Sequence, residues 1–186
     1  MNNGPGNLDG EDEKHFELVD FKPAGKLLQR GRLTLAVMES CTGGLLSAAI
    51  SSTPGCGEYY LGGITSYATE IKVWAGVRQE TVDTHGVVSA ETAIEMAQVI
   101  RGRFQADIGI GITGVAGPKP QEGVDPGIVF IALDGGDTFA AEARKLDIAS
   151  EDPDTVKEAA VEAVVEWLGE VLASLQRSSP AGRHST

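Results

Sequence analysis

Cysteine and histidine are scarce in this sequence. Among 186 residues there are two cysteines, Cys41 and Cys56, and three scattered histidines, His15, His85 and His184. Two cysteines are too few for a disulfide scaffold of this size, and no Cys/His group has the spacing of a zinc site. We therefore expect no bound metal and a reducing, cytoplasmic location.

Positive charge and long apolar runs are also lacking. Lys and Arg number 15 against 27 Asp and Glu, so the net charge is −12 and the pI is near 4.6. Because nucleic-acid phosphates are neutralised by clustered cations, we expect no direct nucleic-acid binding. The apolar runs are far shorter than a membrane span and no signal peptide is recognised, so we expect no membrane association. A small anionic ligand is compatible with this charge, since it needs only a few N–H groups and one or two cations.

Glycine, by contrast, is abundant. Its 24 residues indicate many tight turns or close approaches of the backbone. Residues 1–14 and 177–186 are polar and are predicted to be disordered tails. Residues 15–176 are predicted to form a single domain, which is long enough to bury most of its apolar surface.

Apolar periodicity predicts strands that alternate with helices. We predict five strands, at 33–38, 58–68 (interrupted by Gly62-Gly63), 108–112, 127–133 and 139–148. We predict helices beginning near Pro23, and at 43–52, 71–75, 89–104 (capped by Ser89) and 154–175. The alternation predicts a three-layer α/β/α sandwich, and a hairpin of the last two strands makes its sheet mixed but mostly parallel.

The first of three glycine-containing segments, Glu39–Gly44, joins the first strand to a helix. Such a turn lifts Ser40 to the edge of the sheet and directs free helix N–H groups at whatever lies beside it. These donors could hold an oxyanion or a phosphate. Ser40 and Thr42 are also ordinary helix caps, so a capping role alone is the alternative.

The second segment, residues 62–72, contains Tyr67 and Lys72 near a strand-to-helix junction. A serine nucleophile needs a base, and a lysine serves when burial or another cation lowers its pKa. Ser–Lys pairs are an established variant of triad logic. Tyr67 could relay a proton or orient the lysine. The alternative is a surface lysine beside a half-buried tyrosine.

The third segment, Thr113–Pro118, follows a predicted strand. Its small residues allow a ligand to approach the backbone, with Lys119 as a nearby cation, unless it is only a glycine-rich turn. No Gly-Lys-Ser/Thr ends it, so it is not a Walker A loop. Among other candidates, we interpret Cys41 as a packed residue rather than a thiol nucleophile, and His85 as a turn or capping residue.

Five strings occur in a recognisable order: ESCTGGLLSAAISSTPG, YYLGGITSYATEIK, HGVVSAETAIEMA, DIGIGITGVAGP and PGIVFIAL. In this order the chain resembles the CinA C-terminal domain family, from about residue 27 to about residue 172. ESCTGG and TGVAGP at this separation are the specific part of the resemblance.

The resemblance implies a three-layer α/β/α domain that hydrolyses the carboxamide of nicotinamide mononucleotide. The products would be nicotinate mononucleotide and ammonia, in pyridine-nucleotide salvage. It implies no metal or other cofactor, and a homodimer or larger homo-oligomer. It also implies that Ser40, Tyr67 and Lys72 are catalytic. The substrate contacts it implies are Thr42, Gly43, Gly44, Thr113, Gly114 and Gly117.

Two departures from the family pattern leave the substrate open. Thr69 stands where members commonly have Asn, two residues after the tyrosine. Residues 150–154 lack the Arg of a Gly-Asp-Arg that many members have near the start of the last helix. The alternatives are therefore an amidase for another small amide, or a non-catalytic nucleotide-binding or regulatory module.

Overall fold

The computed structural model describes residues 18–150 and 152–178. The predicted tail 1–14 and residues 179–186 of the other predicted tail lie outside the described residues, as do His15 and His184. Arg177 and Ser178, predicted as the beginning of the C-terminal tail, form the end of the last helix.

Within the described residues the chain forms five strands and six α-helices. The strands are β1 (Leu35–Glu39), β2 (Tyr60–Thr65), β3 (Ile108–Gly114), β4 (Ile128–Asp134) and β5 (Glu142–Asp147). The helices are α1 (Lys22–Gly31), α2 (Leu45–Ser51), α3 (Thr69–Ala75), α4 (Gln79–His85), α5 (Ala90–Phe104) and α6 (Pro153–Ser178). A single 3-10 turn, Cys56–Glu58, precedes β2.

Local chemistry accounts for several helix ends. Pro23 lies in the first turn of α1, where a missing N–H costs nothing. Ser89 caps α5 as predicted, since its Oγ accepts from the N–H of Thr92 at 3.1 Å. Gly76 ends α3 at a φ of 119°, which is a conformation that glycine adopts without strain.

The sheet is mixed, with strand order β2-β1-β3-β4-β5. β1 lies between β2 and β3 and is parallel to both, whereas β4 is antiparallel to its neighbours β3 and β5. Four of the five described strands therefore run in the same direction. This confirms the predicted mixed, mostly parallel sheet, with β5 as an edge strand.

Helices cover both faces of the sheet, which confirms the three-layer α/β/α prediction. On one face α1, α2 and α6 pack against side chains such as Val37, Ile110 and Ile131. On the other face Ala36 and Met38 contact the layer that contains α5. Successive side chains of a strand point to opposite faces, so β1 contributes to both cores.

Glycines on β3 allow α5 to approach the sheet closely. A side-chain carbon at Gly109 would collide with the carbonyl oxygen of Ala97, and one at Gly111 with that of Ala93. The backbone of α5 therefore occupies the space that larger residues on β3 would need. This contact fixes the second helical layer against the central strand.

Two local predictions differ from the structure. Helix α4 was not expected, because its sequence QETVDTH has one aliphatic side chain, Val82, and so gives no apolar period. β2 is not broken at Gly62-Gly63 but runs through both glycines, with a register shift opposite Leu35 and Ala36. Gly63 fits there because a side-chain carbon would meet the Val37 side chain and carbonyl oxygen.

Candidate active site

The three glycine-containing segments meet at the carboxyl edge of the parallel part of the sheet. The register pairs Glu39 at the end of β1 with Thr65 at the end of β2, and Met38 with Gly111 of β3. Ser40 therefore lies between Ser66 on one side and Thr113 on the other. Carboxyl ends of parallel strands are where open α/β sheets bind ligands.

Ser40 and Lys72 form a buried pair at this edge. The Lys72 Nζ donates to Ser40 Oγ at 2.8 Å and to the carbonyl oxygen of Ser66 at 2.8 Å. Lys72 is only 2% exposed and Ser40 6%. The alternative of a surface lysine is therefore wrong, and the candidate nucleophile and the candidate base are in direct contact.

The surroundings of Lys72 change its basicity. Burial lowers the pKa of the Lys72 amine below its ordinary value, because the ammonium loses hydration. Cys41 and Glu122 act in the opposite direction and raise this pKa. Glu122 is held beside the site by the N–H of Val87, which donates to its Oε2 at 3.3 Å. The net lowering increases the neutral fraction of the amine, which is the form that accepts a proton.

The Glu39 carboxylate occupies the beginning of α2. Its Oε2 accepts from Thr42 Oγ1 at 2.7 Å and from the N–H groups of Gly44 and Leu46, at 3.2 and 3.1 Å. Its Oε1 accepts from the N–H and Oγ of Ser47, at 2.8 and 2.6 Å. The expectation of free helix N–H groups beside Ser40 is therefore wrong at these three positions, because an internal carboxylate already satisfies them.

Two N–H groups of the turn differ from the rest. No oxygen among the described residues accepts from the N–H of Cys41 or of Thr42, whereas the N–H groups of Gly43 and Leu45 donate to carbonyls within the turn. The amides of Cys41 and Thr42 are oriented toward the Cys41 sulfur, where they partly oppose the rise of the thiol pKa. They are therefore the two N–H groups after Ser40 that no oxygen of the described residues occupies.

Tyr67 lies apart from the Ser40–Lys72 pair. Its side chain is 73% exposed, and no hydrogen bond joins it to Ser40 or Lys72 within the described residues. The backbone carbonyl of Ser66 orients the lysine instead. A role for Tyr67 as a proton relay stays a prediction that depends on a bound substrate.

The structure places the predicted substrate-binding residues of the first segment around the turn. Gly43 is exposed with a φ of 64°, and no atom would lie within 4 Å of an added side-chain carbon. Gly44 is the residue before α2, with a φ of 104°. The Thr42 hydroxyl is buried and donates to Glu39, so it supports the turn directly.

The predicted residues of the third segment have more structural roles. The Thr113 hydroxyl is buried and donates to the carbonyl of Val87 at 2.7 Å. Gly114 allows close contact of β3 with β4, because a side-chain carbon would meet Ile128 and Val129 backbone atoms. Gly117 has a φ of 106° in the loop after β3. Their contacts with substrate stay predictions.

The lower-ranked candidates take the roles that were expected of them. Cys41 is buried, and burial raises its thiol pKa to about 12, so it is a packed thiol rather than a ready nucleophile. His85 is the last residue of α4, next to Gly86. In the part of the chain that the structure describes, no group of three or more His, Cys, Asp or Glu side chains could hold a metal ion.

Sequence reasoning missed two residues of the site, Glu39 and Ser66. Glu39 directly precedes the predicted nucleophile at the end of a fully buried strand whose other residues are apolar, and a carboxylate at such a position signals a buried acceptor network. Ser66 gave no signal of its own, because it binds Lys72 through its backbone carbonyl. Any residue type could supply that oxygen.

Comparisons with known proteins agree on one family. A model described as the CinA C-terminal domain matches residues 21–172. A protein of Halothermothrix orenii, named for competence-damage induction, is 45% identical over 130 residues, which are 69% of this chain and 30% of that protein. A CinA-like protein of Frankia casuarinae is 45% identical over 123 residues, 66% of this chain and 28% of that protein.

Solved structures share the fold over nearly their whole length. A CinA superfamily protein from Klebsiella pneumoniae 700603 is 31% identical with a TM-score of 0.79, covering 83% of this chain and 96% of that chain. A competence or damage-inducible protein from Enterobacter asburiae is 36% identical with a TM-score of 0.74, covering 83% and 95%. The chain thus spans about 30% of the length of the Halothermothrix relative but almost all of these solved chains.

One further property follows from the helices. Among residues 18–150 and 152–178, none of the helices has both the length and the apolar character that crossing a bilayer requires.

Proposed function

The chain belongs to the CinA C-terminal domain family, and we propose that it is an amidohydrolase that deamidates nicotinamide mononucleotide. The products are nicotinate mononucleotide and ammonia, so the reaction belongs to pyridine-nucleotide salvage. The observation that carries the proposal is the 2.8 Å hydrogen bond between Lys72 Nζ and Ser40 Oγ, made by a buried lysine with a lowered pKa.

The geometry supports nucleophilic catalysis by Ser40. Neutral Lys72 takes the hydroxyl proton as Ser40 Oγ attacks the carboxamide carbon, giving a tetrahedral intermediate. Its oxyanion takes the N–H groups of Cys41 and Thr42 over from the Cys41 sulfur, because no oxygen of the described residues occupies them. The Lys72 ammonium then returns the proton to the nitrogen, the carbon–nitrogen bond breaks, and ammonia leaves.

The second half of the reaction reverses these roles. Water attacks the ester carbonyl and gives its proton to Lys72, and the bond to Ser40 Oγ breaks. Ser40 Oγ takes the proton back from Lys72, and the nucleotide leaves as a carboxylic acid. The Ser66 carbonyl, which accepts from Nζ at 2.8 Å, keeps the amine in place through both halves.

Ammonia release from nicotinamide mononucleotide by the purified chain is the direct test. We expect steady turnover by the unchanged protein. Ser40→Ala and Lys72→Ala should each lower kcat by at least about 10³-fold, because the two groups act as one unit. Matched controls are Ser51→Ala and Lys26→Ala, which alter an exposed serine and an exposed lysine outside the site.

The outcomes separate the candidate functions. Folded protein without turnover would overturn the deamidase proposal. Turnover of another small amide that needs Ser40 and Lys72 would retain the amidase and change its substrate. If the nucleotide raises the unfolding temperature but no amide is hydrolysed, the chain would be a nucleotide-binding module.

A further inference from the structure

Glu39 joins the two halves of the Ser40–Lys72 pair, and we propose that it is the positioning residue of this active site. The inference rests on the proposed function, because it assigns Glu39 a part in the same reaction. Glu39 is the last residue of β1 and is fully buried. Its carboxylate and its backbone carbonyl hold different parts of the site.

The carboxylate fixes the turn that carries Ser40. Five donors converge on its two oxygens, at distances of 2.6 to 3.2 Å, and all of them belong to residues 42–47. A single helix cap usually satisfies one or two N–H groups, so this carboxylate does more than begin a helix. It ties the turn after Ser40 back onto the end of β1, which sets where the Ser40 Oγ lies.

The backbone carbonyl of Glu39 holds the partner of the nucleophile. It accepts from the N–H of Ser66 at 2.7 Å and from Ser66 Oγ at 3.1 Å. The carbonyl of Ser66 in turn accepts from Lys72 Nζ. The oxygens of one residue therefore locate both the serine turn and the anchor of the lysine.

An amide cannot replace this carboxylate without a mismatch. The donors to Oε2 include the N–H groups of Gly44 and Leu46, and the donors to Oε1 include that of Ser47. Backbone N–H groups cannot act as acceptors. Whichever way a glutamine side chain is turned, its NH₂ group faces at least one of them, and the turn must shift.

The test compares Glu39→Gln with the unchanged protein. We expect kcat for deamidation to fall by about 10- to 100-fold with KM changed less than about threefold, since a displacement near 1 Å costs up to about 10²-fold in rate. Ser40 labelling by a serine-directed fluorophosphonate should slow in parallel. In a crystal structure of the variant, the Lys72 Nζ to Ser40 Oγ distance should lengthen beyond hydrogen-bonding range.

Asp134→Asn is the matched control, because it makes the same change at another buried carboxylate. Asp134 accepts from Arg101 Nε at 2.6 Å at the opposite edge of the sheet. We expect it to lower the unfolding temperature without changing the labelling rate or the Ser40–Lys72 distance. If Glu39 has only a structural role, Glu39→Gln will behave like Asp134→Asn: the unfolding temperature will fall, and the labelling rate and the Ser40–Lys72 distance will not change. That result would overturn the proposal.

The readouts also separate this proposal from the proposed function. If the unchanged protein does not hydrolyse nicotinamide mononucleotide, the deamidase proposal fails, and the labelling rate and the crystal structure still decide the role of Glu39. If Glu39→Gln does not fold, Ser47→Ala, which removes one of the five donors, replaces it. An intact 2.8 Å contact and full reactivity in that variant would then count against positioning.

Discussion

Lys72 is the residue on which the proposed chemistry depends. A lysine is rarely found in a protein interior, and this one has two oxygen acceptors, Ser40 Oγ and the Ser66 carbonyl, in place of water. Neither acceptor carries a charge, so hydrogen bonding replaces hydration without restoring the full stability of the ammonium. That imbalance is the physical origin of the lowered pKa.

The pH dependence of the reaction should report this lysine. If the neutral Lys72 amine is the base, as proposed, kcat/KM should rise with pH and level off above the folded-state pKa, which lies below the ordinary value of 10.5. Between these two values the unfolded chain binds more protons at Lys72, so the free energy of unfolding should also rise with pH. A profile of kcat/KM measured from pH 5 to 10.5 tests the lowered pKa of Lys72. A rise in kcat/KM centred at or above pH 10.5 would contradict the prediction.

Glu122 should tune the same profile. Its negative charge raises the pKa of Lys72, so Glu122→Gln should move the rising limb to lower pH. The comparison is Glu162→Gln, which removes an exposed carboxylate from α6, on the other side of the sheet. The pH profiles of both variants give the answer. A limb that stays in place or moves to higher pH in Glu122→Gln would refute the assignment.

At the scale of elements, the site depends on the close packing of α5 against β3. Gly111→Ala should destabilise the fold by roughly 1–3 kcal/mol or more, because the methyl group would collide with the Ala93 carbonyl. Gly102→Ala on α5 is the control. It has open space, and alanine favours helix there, so it should stabilise by roughly 0.5–1 kcal/mol. Urea unfolding measures both, and a neutral Gly111→Ala would contradict the close approach.

The elements also show what a sequence can and cannot predict. Apolar runs and caps predicted all five strands and the helices with strong signals, such as α5 after Ser89. Helix α4 was not predicted, because its stability depends on contacts with α5 rather than on an apolar pattern in its own sequence. Residue types suggested Ser40 and Lys72 as site residues. The contacts of the Glu39 carboxylate with the turn depend on the direction of its side chain, which sequence spacing does not specify.

For the whole molecule, the charge balance fits a small substrate better than a large anionic partner. A net charge of −12 repels nucleic acid over long range, whereas the candidate site at the carboxyl edge of the sheet has N–H groups that no oxygen of the described residues occupies. The remaining feature at this scale is an exposed apolar stripe formed by Tyr67, Ile71 and Trp74. These side chains are 73%, 41% and 70% exposed. Ile71 and Trp74 are three residues apart on the same side of α3, and Tyr67 lies in the segment just before this helix.

The stripe offers a test of the expected homodimer or larger homo-oligomer. If copies of this chain associate through it, Trp74→Ser should reduce the mass measured by light scattering toward the 19.4 kDa of one chain. Leu18→Ser, which changes an exposed leucine outside the stripe, should leave the mass unchanged. An oligomer that survives Trp74→Ser would place its interface elsewhere, and a monomeric unchanged protein would refute self-association.

Because Tyr67 adjoins Ser66, loss of activity together with loss of association would show that assembly completes the site.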